Sequence, residues 1–335
     1  MQKALVTGAN GFAGSHLVRL LLERGWKVLG VTNDLSLDTG LVPGAGEFAL
    51  KELDIGDRQG LLSLLAEFRP ESVFHLAAVT QLELDRGALE ELYRVNVLGT
   101  QNLLLSILEA KLEPVVLVTG SSASYGSSQG VGGQALTEEC LPAPETPYGA
   151  SKLAQEVLAD TLGRGAGLGV VRTRAFNHTG PGESRRMACS AFASQVAECE
   201  LEGKDAVRVG NLDSCRDYCD VRDVVRAYLL AATSGEPGEL YNVCSGTAVS
   251  MRSILELLVS MSKTKIRIET DPGRFRPGDV SYQRGDGSKI ERALGWRPEI
   301  PLERTLSDLL DYWRGRLEAE RLEHEGRSTE RRKRE

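Results

Sequence analysis

Tyr148 and Lys152 stand four residues apart in the run Tyr-Gly-Ala-Ser-Lys. That spacing places two side chains on the same face of a helix. An ammonium group beside a phenol stabilises the phenolate and lowers the pKa of the phenol from about 10 towards neutral pH. Ser121, which follows an apolar run typical of a strand, can hydrogen-bond the same substrate oxygen. We therefore predict an acid/base site that interconverts a carbonyl and an alcohol. The alternatives are a buried tyrosine with a surface lysine and, for Ser121, a turn residue.

A glycine-rich stretch near the start of the chain predicts the partner in this chemistry. Residues 7–14 read Thr-Gly-Ala-Asn-Gly-Phe-Ala-Gly, between a predicted strand and a predicted helix. Gly8 suits a tight turn, Gly11 a close approach of the backbone to a pyrophosphate, and Gly14 close packing of the helix. The helix N-terminus offers free N–H groups and the positive end of its dipole to the anion. We predict a dinucleotide site in which nicotinamide transfers hydride. The expected contact residues are Gly8, Asn10, Gly11, Phe12, Ala13 and Gly14.

The end of the second predicted strand bears on the choice of dinucleotide. An acidic residue there favours NAD, and an arginine nearby favours the 2′-phosphate of NADP. Here the chain reads Val31-Thr32-Asn33-Asp34, with Thr32 at the usual acidic position and no adjacent arginine. Thr32 does not repel a phosphate. The expected cofactor is therefore NADP(H) in preference to NAD(H), with both left open, and Thr32 and Asn33 are expected to contact it.

The elements that position these residues alternate along the chain. Apolar runs typical of buried strands are followed by stretches with helical spacing. Such alternation predicts βαβ units and a Rossmann-type, doubly wound parallel sheet in the α/β class. The strands are apolar throughout, as expected for a sheet covered on both faces. The predicted strands lie at 4–6, 28–31, 72–76, 115–118 and 170–172, and the predicted helices at 16–24, 61–68, 90–108 and 151–162.

The pattern loosens after about residue 175. Glycine, proline and arginine gather at 177–186 and 273–279. We expect a dinucleotide-binding domain at 1–175, to which some later segments return, and a smaller, interleaved substrate-binding lobe at 176–313. Residues 314–335 are highly charged, and we expect a disordered tail there.

Composition excludes several classes of protein. The chain has 335 residues, of which 41% are hydrophobic and 26% charged, as in ordinary globular proteins. No apolar run approaches the roughly 18 residues of a membrane span, and no apolar leader opens the chain, so we expect a cytoplasmic protein. A net charge of −7 argues against nucleic-acid binding. The six cysteines show no zinc-binding spacing, so we expect reduced thiols and no metal.

Taken together, these motifs resemble the extended short-chain dehydrogenase/reductase family over residues 1 to about 313. Further matching stretches are Asp54-Ile55, His75-Leu76-Ala77-Ala78, Asn96 and the Tyr148-to-Lys152 motif itself. The resemblance implies that Asp54 and Ile55 flank the adenine and that Lys152 holds the nicotinamide ribose. It also implies that members dimerise through the helices carrying Asn96 and Lys152. The remaining cofactor contacts that it implies are Leu76, Ala77, Ala78, Asn96, Tyr148 and His178.

The second lobe most resembles family members that act on GDP-mannose derivatives. The similarity lies in stretches such as 174–182, 216–223 and 241–246. It implies that Asn177, Arg216 and Arg276 hold the diphosphate of a nucleotide sugar, for which a planar guanidinium is well suited. Ser122 is a further implied substrate contact. The alternative for Arg216 is an ion pair with a neighbouring aspartate.

Within this group the resemblance implies reduction of GDP-4-keto-6-deoxy-D-mannose to GDP-D-rhamnose. The related GDP-mannose 4,6-dehydratases need a carboxylate after the serine to remove a proton, and Ala123 stands at that position. Dehydration is therefore disfavoured, although related reductases also often have a glutamate there. A nucleotide-sugar 4-epimerase stays open, as does a cofactor-binding protein without catalysis. The stretch 183–187 departs from its relatives, so guanine recognition is less certain than diphosphate binding.

Sequence alone also leaves the dimer face open. Apolar residues on the two implied helices could serve either a dimer or the core of one chain. They are Leu103, Leu104, Ile107, Leu153, Val157 and Leu158.

Overall fold

The computed structural model describes residues 1–36, 47–80, 85–127, 133–274 and 282–332, with the backbone alone for 323–332. These residues form two compact units, and the chain passes between them repeatedly. One unit comprises the described residues of Met1–His178, Asp217–Ala248 and Tyr282–Glu299. The other comprises the described residues of Thr179–Arg216, Val249–Ser281 and Ile300–Glu335. The expected boundary near residue 175 and the separate roles of the two parts remain predictions.

Strands and helices alternate over much of the first unit. The strands are β1 (Lys3–Thr7), β2 (Lys27–Thr32), β3 (Phe48–Glu52), β4 (Ser72–His75), β5 (Val115–Ser121), β6 (Val170–Ala175), β7 (Asn177–Thr179), β8 (Ala206–Val209), β9 (Cys215–Asp220), β10 (Leu240–Val243), β11 (Ala248–Ser250) and β12 (Arg267–Thr270). The α-helices are α1 (Phe12–Glu23), α2 (Arg58–Phe68), α3 (Arg86–Tyr93), α4 (Thr100–Glu109), α5 (Pro147–Ala166), α6 (Ala188–Glu202), α7 (Val221–Ser234), α8 (Met251–Ser260), α9 (Ser288–Leu294) and α10 (Leu302–Arg332).

Seven strands form one sheet in the order β10–β6–β5–β4–β1–β2–β3. Every neighbouring pair is parallel, with Thr7 in register with Val31 on one side and His75 on the other. The carboxyl ends of β1, β2, β4 and β5 therefore lie at one edge of the sheet, where ligands bind in such folds. This sheet confirms the predicted fold class.

Helices cover both faces of the sheet and bury its apolar strands. On one face, Leu21 of α1 and Val225 of α7 belong to a core cluster with strand residues such as Val6. On the other face, α2 and α4 contribute Leu65 and Leu104 to a second cluster. The residues of α4 for which a dimer role was open lie in this second core, fully buried: Leu103, Leu104 and Ile107.

The predicted helix over 90–108 is divided in the structure. Residues Arg94–Gly99 form a π-helical turn between α3 and α4. Such turns are rare and frequently occur at functional sites. Asn96 lies within it, fully buried, and its amide bonds backbone and side-chain groups outside the helix. A period of apolar residues does not reveal an interruption of this kind.

The second unit has its own core around α6, α8 and α10, with a two-stranded parallel sheet of β8 and β12. Trp313 of α10 is buried and donates its indole N–H to Ser190 at 2.8 Å. Arg314 donates to both oxygens of Glu200 at 2.7 Å. Residues 314–332 continue α10, which differs from the disordered tail that was expected. The run of charged residues gave no indication of these contacts, which join the start of residues 314–332 to α6.

Three observations concern the described residues as a set. None of their helices combines the length and apolar character that crossing a bilayer requires. No group of three potential metal ligands occurs among them. All six cysteines are free thiols.

Candidate active site

The first turn of α5 lies directly against the end of β5. Thr146 caps the helix by accepting the N–H of Gly149 at 3.1 Å, and Pro147 occupies the first turn. A Cβ on Gly149 would lie 2.4 Å from the carbonyl oxygen of Ala123, so only glycine permits this approach. The hydroxyl of Tyr148 lies close enough to Ser121, at the end of β5, for the serine to affect its pKa. Two of the three residues predicted to be catalytic are thus brought together.

Burial controls the ionisation of Tyr148 and Lys152. It raises the pKa of Tyr148, and the hydrogen bond from Ser121 offsets only part of that rise. This differs from the lowered pKa that the spacing predicted, because desolvation of the phenolate outweighs the other influences. Burial also lowers the pKa of Lys152 to about 7, against an opposing effect of Glu156. At neutral pH the phenol is protonated, which is the form that donates a proton to a carbonyl.

The glycine-rich stretch forms a tight cradle between β1 and α1. Gly8 adopts φ +70°, and a Cβ there would lie 2.8 Å from the backbone nitrogen of Ala77. A Cβ on Gly14 would lie 2.0 Å from the carbonyl oxygen of Gly8. Helix α1 then begins at Phe12, where its first N–H groups lack intrahelical partners. A pyrophosphate needs such close backbone approach at a helix N-terminus, so these residues fit a dinucleotide.

The residues after β2 form a hydrogen-bonded turn. Thr32 is buried, and its hydroxyl contacts both the N–H and the carbonyl oxygen of Asp34 at 3.2 Å. Asn10 donates to the same carbonyl oxygen at 2.6 Å. The Asp34 carboxylate accepts two bonds from Ser36, which lower its pKa. Thr32 therefore shapes the turn, and Asn33 is exposed to solvent.

The predicted adenine-flanking pair is fixed by a residue that sequence reasoning missed. Arg94 donates to both carboxylate oxygens of Asp54, at 2.9 and 3.0 Å, and lowers the pKa of that carboxyl. Asp54 also accepts the N–H of Gly56 at 2.6 Å. Ile55 is buried against Gly99, where a Cβ would lie 2.5 Å from its side chain. Nothing in the local sequence around Asp54 indicates this arginine.

A buried hydrogen-bond network joins the cradle to α4 and α5 through His75. The hydroxyl of Thr100 donates to the carbonyl of Asn96 at 2.7 Å, so it accepts from His75 Nε2 at 2.8 Å and from Gln155 at 3.0 Å. Nε2 therefore bears the proton, and Nδ1 accepts from the hydroxyl of Thr7 at 2.8 Å. Burial lowers the pKa of His75 to about 3 and keeps the ring neutral.

Asn96 fixes the position of α5. Its amide nitrogen donates to the carbonyl of Val79 at 3.0 Å and to the hydroxyl of Ser151 at 2.9 Å, and its oxygen accepts the N–H of Val79. Ser151 in turn donates to the carbonyl of Tyr148 at 2.8 Å. Asn96 thus links the chain after β4 to the helix that contains Tyr148 and Lys152.

The other predicted cofactor contacts are divided between two places. Leu76, Ala77 and Ala78 continue from β4, half-buried, and the N–H of Ala77 donates to Thr7 at 3.2 Å. The ring of His178 stacks on Phe12 at 5.8 Å, and its Nδ1 bonds the carbonyl of Phe176. Phe12 is the first residue of α1, so His178 lies over the start of that helix.

The structure describes three of the four predicted substrate contacts. Ser122 is buried and donates to Gln283 at 2.8 Å, while Gln283 donates back to the carbonyls of Ser122 and Gly126. Asn177 begins β7, and Arg216 belongs to the second unit, where it donates to the carbonyl of Cys215 at 3.1 Å. Arg276 lies outside the described residues.

The cradle makes a direct prediction for Gly14→Ala. The added methyl group must displace the carbonyl of Gly8, so we expect the affinity for NADPH and NADH to fall by at least about tenfold. Gly165→Ala is the matched control, because a Cβ there meets nothing within 4 Å and alanine favours the helix. Calorimetric titration measures both affinities. If a folded Gly14→Ala protein bound NADPH and NADH with wild-type affinity, that result would contradict the predicted role of the glycine cradle in dinucleotide binding.

The His75 network makes a second prediction. Thr100→Val keeps the shape of the side chain but leaves the N–H groups of His75 and Gln155 without their acceptor. We expect the free energy of unfolding to fall by about 1–3 kcal/mol, measured by urea denaturation. Thr233→Val is the control, since Thr233 is exposed on α7 and its loss is expected to cost under about 0.5 kcal/mol. Equal effects at both positions would argue against the network.

The chain is similar to known proteins over nearly its whole length. The family model for GDP-mannose 4,6 dehydratase matches residues 5–309. GDP-6-deoxy-D-mannose reductase of Pseudomonas aeruginosa is 34% identical over 95% of this chain and 99% of its own length. UDP-glucose 4-epimerase of Mycolicibacterium smegmatis is 30% identical over 94% of this chain and 99% of its own length. The structure of RMD from Pseudomonas aeruginosa complexed with NADPH has a TM-score of 0.81 and 30% identity, covering 94% of this chain and 100% of that one. The resemblance to the extended short-chain dehydrogenases/reductases is thereby confirmed, and this chain belongs to the GDP-mannose 4,6 dehydratase family.

Proposed function

We propose that this chain reduces the 4-keto group of a nucleotide-linked 6-deoxy sugar, namely GDP-4-keto-6-deoxy-D-mannose, to give GDP-D-rhamnose. The observation that supports this most directly is the position of Tyr148 beside Ser121, with alanine rather than a carboxylate at 123. The similarity to a GDP-6-deoxy-D-mannose reductase over nearly the whole chain supports the same reaction.

The proposed reaction adds a hydride to C4 of the sugar and a proton to its oxygen. A bound reduced nicotinamide supplies the hydride. Ser121 hydrogen-bonds the carbonyl oxygen, and Tyr148 donates its phenolic proton to that oxygen as the C–H bond forms. The ammonium of Lys152 stabilises the phenolate that is left, which then takes a proton from solvent. The ketone becomes a secondary alcohol, and no other group is consumed.

Dehydration of GDP-mannose would need a base for the C5 proton. Ala123 forms part of the 3-10 turn Ser122–Ser124, and its methyl side chain cannot accept a proton. The preserved residues Ser121, Tyr148 and Lys152 suffice for hydride and proton transfer at one carbon. This contrast favours reduction over dehydration.

A 4-epimerase is the second candidate, favoured by the similarity to UDP-glucose 4-epimerase over 94% of the chain. The same three residues would remove and return a proton at the sugar oxygen while the dinucleotide stayed bound. An epimerase would convert one sugar epimer into the other without net consumption of NADPH or NADH, which separates it from a reductase.

For the reductant we propose NADPH, with NADH as the alternative. Thr32 offers no carboxylate to repel a 2′-phosphate, and the carboxylate of Asp34 is engaged by Ser36. A relative with the same fold binds NADPH. The ratio of kcat/KM for NADPH and NADH measures this preference.

For the substrate we propose that Asn177, Arg216 and Arg276 bind the diphosphate. The hydroxyl of Ser122 is buried and bonded to Gln283. We propose that it supports the turn next to Ser121 instead of contacting the sugar. Asn96 likewise positions α5 through its own hydrogen bonds.

We further propose a cytoplasmic homodimer that uses the outer face of α5. Six free thiols fit a reducing compartment. Val157 is 55% exposed on α5, and Leu98 of the π-helical turn is 51% exposed. An apolar depression lies along this face of α5. Its lining residues are Pro144, Ala150, Leu153, Ala154, Val157, Leu158 and Thr161.

The reductase proposal is tested with Tyr148→Phe. Loss of the proton donor should lower kcat about 10²–10⁴-fold, measured as NADPH consumption with GDP-4-keto-6-deoxy-D-mannose. Binding of NADPH should persist. Tyr93→Phe, on the exposed end of α3, is the control and should retain full activity. A folded wild-type protein that binds NADPH but never consumes it with this sugar would exclude the reductase.

The dimer proposal is tested with Val157→Asp. A carboxylate on the apolar face of α5 should shift the protein from dimer to monomer in sedimentation velocity, because burying it at an interface is costly. Leu141→Asp is the control, at a position 89% exposed outside α5. A wild-type monomer, or a Val157→Asp dimer of unchanged affinity, would refute the proposed face.

A further inference from the structure

Lys152 is buried among ionisable groups from three elements. Tyr148 and Glu156 lie on its own helix α5, His75 on β4 is close enough for the charge of Lys152 to lower its pKa, and Arg174 reaches Glu156 from β6. Lys152 itself is 2% exposed. Near neutral pH the ring of His75 is neutral and the phenol of Tyr148 is protonated. The fixed charge that acts on Lys152 is therefore that of Glu156, which Arg174 contacts.

Glu156 and Arg174 form a closed, bidentate pair. Glu156 lies one helical turn after Lys152 on the same face of α5. The Nε and Nη2 atoms of Arg174 donate to its two carboxylate oxygens at 2.8 and 2.7 Å, and both side chains are 5% exposed or less. The guanidinium stacks over the ring of Tyr125 at 4.3 Å. Within the described residues, no ion pair joins Lys152 to Glu156.

The role of this pair follows from its geometry. A buried carboxylate one turn from a buried lysine would ordinarily capture the ammonium in a salt bridge. We propose that Glu156 and Arg174 are positioning residues for Lys152: Arg174 occupies both oxygens of Glu156, so the carboxylate holds the lysine by charge while leaving its ammonium free for the substrate side. For the task of Lys152, this inference rests on the proposed reduction. The arrangement of Glu156, Arg174 and Lys152 does not depend on which sugar is the substrate.

The pair has opposite electrostatic effects on Lys152. Burial lowers the pKa of Lys152 to about 7, and the negative charge of Glu156 works against that lowering. Arg174 is positive and bonds both oxygens of Glu156, so we expect it to weaken the effect of Glu156 on Lys152. Removing Glu156 alone therefore lowers the proton affinity of Lys152, and removing Arg174 alone raises it. Removing both leaves no net change in charge.

The test is a titration of Lys152 in protein labelled with carbon-13 at lysine Cε, followed by NMR. The resonance absent from Lys152→Met identifies the residue. In the wild-type chain we expect its midpoint near neutral pH, whereas exposed lysines titrate near pH 10. A wild-type midpoint near 10 would overturn the proposal, whether or not any variant folds.

The variants give the sign. We expect the midpoint to fall by about one pH unit in Glu156→Gln and to rise by about one unit in Arg174→Met, with a return towards wild type in the double variant. A merely structural pair would alter stability without these opposite shifts. Shifts in the same direction in both single variants, or no shift, would overturn the proposal.

A second ion pair on the same two elements, with both side chains 12% exposed, provides the control. Arg172 of β6 and Asp160 of α5 are 2.9 Å apart, one helical turn further from Lys152. Asp160→Asn should leave the midpoint of Lys152 within about half a unit, because charge effects fall with distance.

The same variants also separate this inference from the proposed function. If GDP-4-keto-6-deoxy-D-mannose is the substrate, the alkaline limb of the kcat/KM profile should move with the NMR midpoint. Opposite NMR shifts without any turnover of this sugar would uphold the pair and reject the substrate. Turnover of this sugar with unshifted NMR midpoints would uphold the substrate and reject the proposed role of the pair.

Discussion

The contact between Gly149 and the carbonyl of Ala123 is the constraint on which the proposed chemistry depends. Because glycine has no Cβ, the first turn of α5 reaches the end of β5, and Tyr148 lies beside Ser121. The parallel sheet brings the end of β5 to the same edge as the glycine cradle after β1. The proton donor Tyr148 and the glycine cradle therefore lie at the same edge of the sheet. Each depends on a close backbone contact that leaves no room for a side chain.

Burial then assigns a protonation state to each group. Desolvation disfavours charge, so it raises the pKa of Tyr148 and lowers those of Lys152 and His75. A phenol that starts protonated suits reduction of a ketone, in which it must give a proton away. The lysine, by contrast, is useful only while charged, and its lowered pKa makes its charge sensitive to neighbours. For this reason a pair such as Glu156 and Arg174 matters to the site beyond stability.

The fold and the local motifs could be predicted from the sequence because their signals are short-range. Apolar strands, helical spacing and the glycine pattern each lie within a few residues, and the structure has the sheet that they indicate. The partners of those motifs could not be predicted. Gln283 bonds Ser122 and Arg174 bonds Glu156 across long stretches of chain, and nothing in the surrounding residues marks either pairing. The direction of the pKa shift of Tyr148 was predicted wrongly for the same reason, since the burial of this residue depends on the whole fold.

Ala123 shows how little separates activities within one fold. Hydride transfer and proton transfer at C4 involve one carbon and its oxygen, so Ser121, Tyr148 and Lys152 suffice. Dehydration adds a second carbon and requires a base at a second place. The turn after β5 is held by Gln283 and by Ser121, which accepts the N–H of Ala123 at 3.2 Å. A turn fixed in this way presents residue 123 in one orientation, so the alanine there leaves the C5 proton without a base at this position.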